Sequence, residues 1–279
     1  DLLTREGEIE IAKRIEEGLR HMIQAISGCP TIIDDLMIMS EKVKNKELGV
    51  DEFIDGLIDL EAEKEMAKVE AALLPQVEDE NEGEDDENET GKASGMSPED
   101  LAHLTKEVLS RFNKIKKAHK KLSELRNQKK WVDDPEYNKH QDIILTTLKD
   151  FRFGSKFVEL QCDKVRTVIT KIRMHERVIR DFCVEESRMP RKHFIESFPG
   201  NETNLKWLKE EMKVDKPYVE VLEKLKHSIV DQQKKMIALQ EMLGIPIENF
   251  KEVNKKMVGG ERNARIAKRE MIEANLRLV

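Results

Sequence analysis

Apolar residues recur along most of this chain at helical spacing. Ile11, Ile15, Leu19, Met22 and Ile26 fall three or four residues apart and predict one apolar stripe on a helix over residues 4–26. Thr4 offers an N-cap, Glu6 and Glu8 suit the positive helix N-terminus, and Gly28 and Pro30 end the run. A second helix is expected after Pro30, with Ile33, Leu36, Met37 and Val43 inward. A short third follows from Asp51, with Phe53, Ile54, Leu57 and Ile58. "SPED" starts a long helix over 98–129: Ser97 is the N-cap, Pro98 the first helical residue, and Asp100 takes the capping-box position in shortened form. Its stripe is Leu101, Leu104, Val108, Phe112, Ile115, His119 and Leu122. Asp134-Pro135 opens the next helix, with Ile144, Leu148 and Phe151 inward. Gly154-Ser155 opens another, reaching Ser187 with a near-heptad stripe from Val158 to Phe182, and Met189-Pro190 closes it. A short helix, the turn "FPGNET" and the segment "NLKWLKEEM" come next. A long helix over 217–243 ends at Gly244, "IPIENFKEVNKKM" is read as a short helix, and the last helix starts near Gly260.

Long helices with short connections predict an all-α fold, a bundle of long antiparallel helices. Residues 76–96 break the pattern. Nine acidic residues and no basic one lie between Glu78 and Glu89, with almost no apolar content around them. Such a stretch buries too little surface to offset its ordering entropy, so it reads as an acidic disordered loop. Without those nine acids the net charge of −7 becomes +2, so the folded part is near neutral. Aromatics make up only 5% of the chain, too few for a β-sandwich. No apolar run approaches the roughly 18 residues of a membrane span. Cys29, Cys162 and Cys183 form no C-x-x-C pair and sit among apolar neighbours, as buried free thiols do.

Little in the chain suggests catalysis. There is no Gly-rich phosphate loop, no nucleophile–base pair and no cofactor motif. "HERVI" at 175–179 lacks the second His of a zinc helix, and the acidic tract has Thr90 where a calcium loop needs Glu. "NET" at 88–90 and 201–203 matches the glycosylation sequon without further support. "IAKR" at 11–14 and 266–269 is no repeat, since the flanks do not align. One charged stretch stands out. Nine Lys and Arg lie between Arg111 and Lys130, opposed by Glu124 alone, on a face that could hold phosphates or simply be solvated.

The apolar rhythm still runs at Val279 with no capping residue, and the chain opens within a motif, which implies a segment of a longer protein. "LLTREGEIEIAKRIEEGL" and "AKREMIEANLRLV" resemble two landmarks of bacterial primary sigma factors of the sigma-70 family. The first resembles most of region 1.2, the second the opening of region 2.1. Between them "RKHFIESFPGNET" and "GIPIENFKEVNKKMVGGERNARIAKREM" are similar to the helical nonconserved insertion of proteobacterial members, where an acidic loop is common. The resemblance thus divides the chain into residues 1–27, an insertion over 28–259, and residues 260–279.

The resemblance implies a non-enzymatic, cytoplasmic bacterial initiation subunit without cofactor, membrane or small-molecule substrate. Its partners would be core RNA polymerase, through the β′ subunit, and the melted non-template strand of the minus-ten element. It also implies that the first and last helices pack together and form a pocket for the last thymine of that element. Carried over by motif, the pocket residues are Leu2, Glu8, Asn275 and Leu278. Asn offers donor and acceptor to a base edge, Glu accepts from an imino N–H, and leucines supply apolar walls. In that packing Ile11 and Ile15 are expected to face Met271, Leu276 or Leu278. The rival reading from the residues alone is a helical scaffold or chaperone-like adaptor with no nucleic-acid role.

Overall fold

The computed structural model describes residues 5–58, 97–127 and 134–278. The acidic stretch 76–96, Thr4, Leu2, Lys129 and Lys130 lie outside them. The elements are α1 (Arg5–Ile26), α2 (Pro30–Lys44), a 3-10 turn (Val50–Glu52), β1 (Ile54–Leu57), α3 (Pro98–Asn127), α4 (Pro135–Lys149), β2 (Phe151–Phe153), α5 (Ser155–Arg180), a π-helical turn (Asp181–Glu186), α6 (Arg191–Ser197), α7 (Trp207–Glu211), α8 (Val219–Leu243) and α9 (Ile247–Leu278). One continuous apolar core joins them. The all-α bundle expected from the periodicity is what forms.

Helix ends follow their capping residues. The Ser97 hydroxyl accepts from the Asp100 N–H at 3.1 Å and donates to the Asp100 carboxylate at 3.0 Å. The Asp134 side chain accepts from the Glu136 N–H at 2.8 Å, with Pro135 in the first turn. Gly244 ends α8 in the left-handed conformation at φ 69°. In the "FPGNET" turn Gly200 has φ 83°. The buried amide of Gln233 donates to the carbonyls of Asn201 and Asn204, both at 3.2 Å, and ties that turn to α8.

Three expected elements differ. The segment after Asp51 is not a helix: a single 3-10 turn leads into β1, which pairs antiparallel with β2, Ile54 opposite Phe153 and Leu57 opposite Phe151. Phe151 therefore belongs to a strand rather than to α4. The ribbon is held by rings: Phe151 stacks on Phe112 at 5.0 Å, and Phe153 on Phe157 at 5.6 Å. The helix from Ser155 widens at Asp181 into the π-helical turn instead of staying regular to Ser187. Finally, "IPIENFKEVNKKM" and the terminal helix are one rod, α9, which runs through Gly259 and Gly260 without a break.

All three cysteines are buried and free. Burial pushes each thiol up to about 12. At pH 8 none of them is expected to react with a thiol-specific chromogenic disulfide until the bundle unfolds, and rapid stoichiometric labelling of the native chain would contradict this packing.

Candidate nucleic-acid interface

Among the described residues, the most extensive helix packing is between α1 and α9. It is built on small residues. An atom placed where a Gly18 Cβ would be lies 2.7 Å from the Ala264 Cβ and 2.8 Å from its backbone nitrogen. A Cβ on Gly260 would sit 3.0 Å from the Met22 nitrogen and 3.1 Å from the Gly18 carbonyl oxygen. Gly260, Ala264 and Ala267 recur at i, i+4 and i+7 on one face, and the two alanines are buried. Glycine here is not a break in a helix but the site of backbone contact between two helices.

Contacts along the pair fix an antiparallel register. Gly28 meets Val253, Met22 meets Gly260, and Gly18 meets Ala264. The Arg14 guanidinium then reaches both carboxylate oxygens of Glu270, at 2.5 and 3.1 Å. The hydrogen bond from Arg14 holds the Glu270 carboxyl below its usual range. Glu8 lies six residues before Arg14 and Asn275 five residues after Glu270, so the two stand within about one residue of the same level. The faces agree as well. Leu19 and Ala264 line one groove on the side of α5. Glu8 precedes Leu19, and Asn275 follows Ala264, by eleven residues, about three helical turns. Both therefore lie on the α5 side of the pair.

That level is open. α5 runs antiparallel to α9 through a ladder of ion pairs: Glu176 with Lys251, Arg166 with Glu261, Glu159 with Lys268. α5 begins at Ser155, one turn before Glu159, whereas Asn275 is two turns past Lys268. Asn275 is exposed and Glu8 half-exposed. The Asn275 amide and the Glu8 carboxylate are thus both within reach of solvent at that end of the pair. Leu278 ends α9, while Leu2 falls outside the described residues. Ile11 is buried, whereas Leu276 is 69% exposed.

The basic run on α3 is partly neutralised. Lys116 pairs with Glu41, Lys121 with Glu124, and Arg111 with Asp150, while Lys114, Lys117 and Lys120 are exposed. His175 hydrogen-bonds Gln232 at 2.7 Å, a structural role. Among the described residues no His, Cys, Asp or Glu cluster could hold a metal ion, and no single helix is long and apolar enough to cross a membrane. Periodicity did not single out Gly18, Gly260 and Ala264; the signal was the G-x-x-x-A spacing at 260–264.

A family model described as "Sigma-70, non-essential region" matches residues 29–240. Over 285 aligned residues the chain is 36% identical to the RNA polymerase sigma factor RpoD of Neisseria gonorrhoeae, an alignment that covers 100% of this chain and 44% of that protein. The chain thus spans less than half the length of this relative. With the family model matching most of its length, the chain belongs to the sigma-70 family and carries that family's non-essential region between its first and last helices.

Proposed function

We propose that this chain acts as a segment of a primary sigma factor, a non-enzymatic subunit that directs core RNA polymerase to promoters. In this reading the open end of the α1–α9 pair receives the last thymine of the melted minus-ten non-template strand. Asn275 and Glu8 meet the base edge, and Leu2 and Leu278 supply apolar walls. The insertion between the two helices touches the β′ subunit and tunes escape from the promoter. The observation that supports the reading is the antiparallel register from Gly28–Val253 to Arg14–Glu270, which continued outward runs toward Glu8 on α1 and Asn275 on α9.

The test is a fluorescence titration of the intact sigma factor carrying this segment, using two single strands that differ only at the final thymine. Asn275→Ala and Glu8→Ala should each weaken the thymine strand by roughly 1–3 kcal/mol, the range for a specific base contact. The loss should shrink on the strand with another base there. Lys117→Ala on α3 should weaken both strands alike if it acts at all, since phosphate contacts carry no base information. Equal losses on both strands for Asn275→Ala and Glu8→Ala would mean that the two residues only hold the helices together.

A further inference from the structure

From Gly18 outward α1 has no glycine until Gly7, and α9 has none after Gly260. In that stretch a pair of long side chains joins the helices. The Arg14 guanidinium donates to both carboxylate oxygens of Glu270, at 2.5 and 3.1 Å. The next carboxylate of α9, Glu273, is taken by Arg269 of the same helix at 2.7 Å. Past the pair, Ile272 and Leu276 of α9 are exposed. The Arg14 and Glu270 side chains are themselves 42% and 44% exposed, and a pair in that setting contributes little to stability. What a two-point fork does fix is the distance and orientation between the groups that carry it.

The pair stands between the glycine contacts and the residues assigned to the base. Glu8 and Asn275 lie ten and eleven residues beyond Gly18 and Ala264, roughly 15–17 Å along the helix axes. Over that lever a splay of about 4° displaces each of them by about 1 Å, enough to leave a binding site too loose. Arg14 and Glu270 are four and six residues out from the same contacts, where a bridge opposes the splay. We propose, resting on the thymine-pocket reading, that Arg14 and Glu270 are a positioning pair for that pocket. They set the spacing of the helix ends that carry Glu8 and Asn275 and touch no base themselves.

The experiment titrates the intact sigma factor with the two single strands that differ only at the final thymine. Arg14→Gln and Glu270→Gln should each weaken the thymine strand about two- to fivefold, the most that a half-exposed ion pair can transmit. The strand with another base there should be nearly unaffected, and the thermal midpoint should barely move. The double substitution should lose no more than either single one, because the two residues act through one contact. Exchanging the charges, Arg14→Glu with Glu270→Arg, should restore thymine binding. The two single changes alter the protein's charge in opposite directions. Effects of opposite sign, alike on both strands, would therefore mean that the residues act only through the field on the phosphates, and would overturn the proposal. Unchanged thymine affinity in both variants, with the unsubstituted protein still selecting thymine, would overturn the pair's role and leave the pocket standing. An unsubstituted protein blind to the last base would overturn the pocket reading and the positioning pair with it.

Discussion

Replacing Gly18 by Ala should destabilise the bundle, and replacing Gly259 by Ala should stabilise it, although both glycines lie inside helices. Intrinsic propensity favours alanine at either position by about 1 kcal/mol. At Gly18 the added methyl would stand 2.7–2.9 Å from the Ala264 Cβ, nitrogen and Cα, atoms that cannot rotate away. The helices must part, and overpacking of this kind costs about 1–3 kcal/mol or more. At Gly259 nothing lies within 4 Å of the new methyl, so only the propensity gain remains. Gly260, with a 3.0 Å approach to the Met22 backbone, should fall between them. Thermal melts would register these changes at about 2–4 °C per kcal/mol. A stabilising Gly18→Ala would show that α1 and α9 are not in backbone contact.

The second large effect is expected at Lys251. Its ammonium lies 2.5 Å from Glu176 on α5 and 2.5 Å from Glu202 in the "FPGNET" turn, and Glu202 is only 6% exposed. Burial disfavours the charged lysine, but the hydrogen bonds and charges of the two carboxylates outweigh it, and the lysine pKa is raised. Lys251→Met leaves Glu202 buried without its counter-ion. Removing one partner of a buried pair costs about 3–5 kcal/mol, and the lower end applies because a third of the Lys251 side chain is exposed. Glu202→Gln in the Lys251→Met background should recover part of the loss. The sign of the pH effect follows from the raised pKa. The lysine contribution is complete below the unfolded value of about 10.4 and is lost as pH rises through the folded value. Denaturant melts of the unsubstituted chain and the two variants would measure this, and an unchanged midpoint in Lys251→Met would exclude the triad as a structural tie.

Much of this architecture is legible in the sequence, because helix punctuation is local. Ser97, Asp134 and Gly244 cap helices where their side chains or backbone freedom dictate. The failures are where a distant partner decides. Ile54 and Leu57 fit a helical stripe as well as a strand, and only pairing with Phe151–Phe153, nearly a hundred positions on, makes them a strand. Gly259-Gly260 reads as a helix start because local rules rank glycine as a breaker. The contact with Gly18 and Met22 that makes Gly260 favourable is invisible without the fold. The candidate site was legible in the opposite way. Glu8 and Asn275 came from resemblance of the end motifs, not from periodicity, which treats one as an N-terminal acid and the other as an exposed helix residue. The structure adds the antiparallel register of α1 and α9, set by small residues whose spacing was present in the sequence but carried no functional label.

The central claim is that a flipped thymine sits at the open end of the α1–α9 pair. The most direct measurement is photocrosslinking of the intact sigma factor, bound to core polymerase, to a minus-ten single strand carrying 4-thiothymine at its last position, with the crosslinked peptide mapped by mass spectrometry. The account predicts crosslinks on α1 around Glu8 and on the last turns of α9 around Asn275, lost when the photoreactive base is moved one position away. Crosslinks confined to other parts of the chain, such as the lysine face of α3, would contradict it.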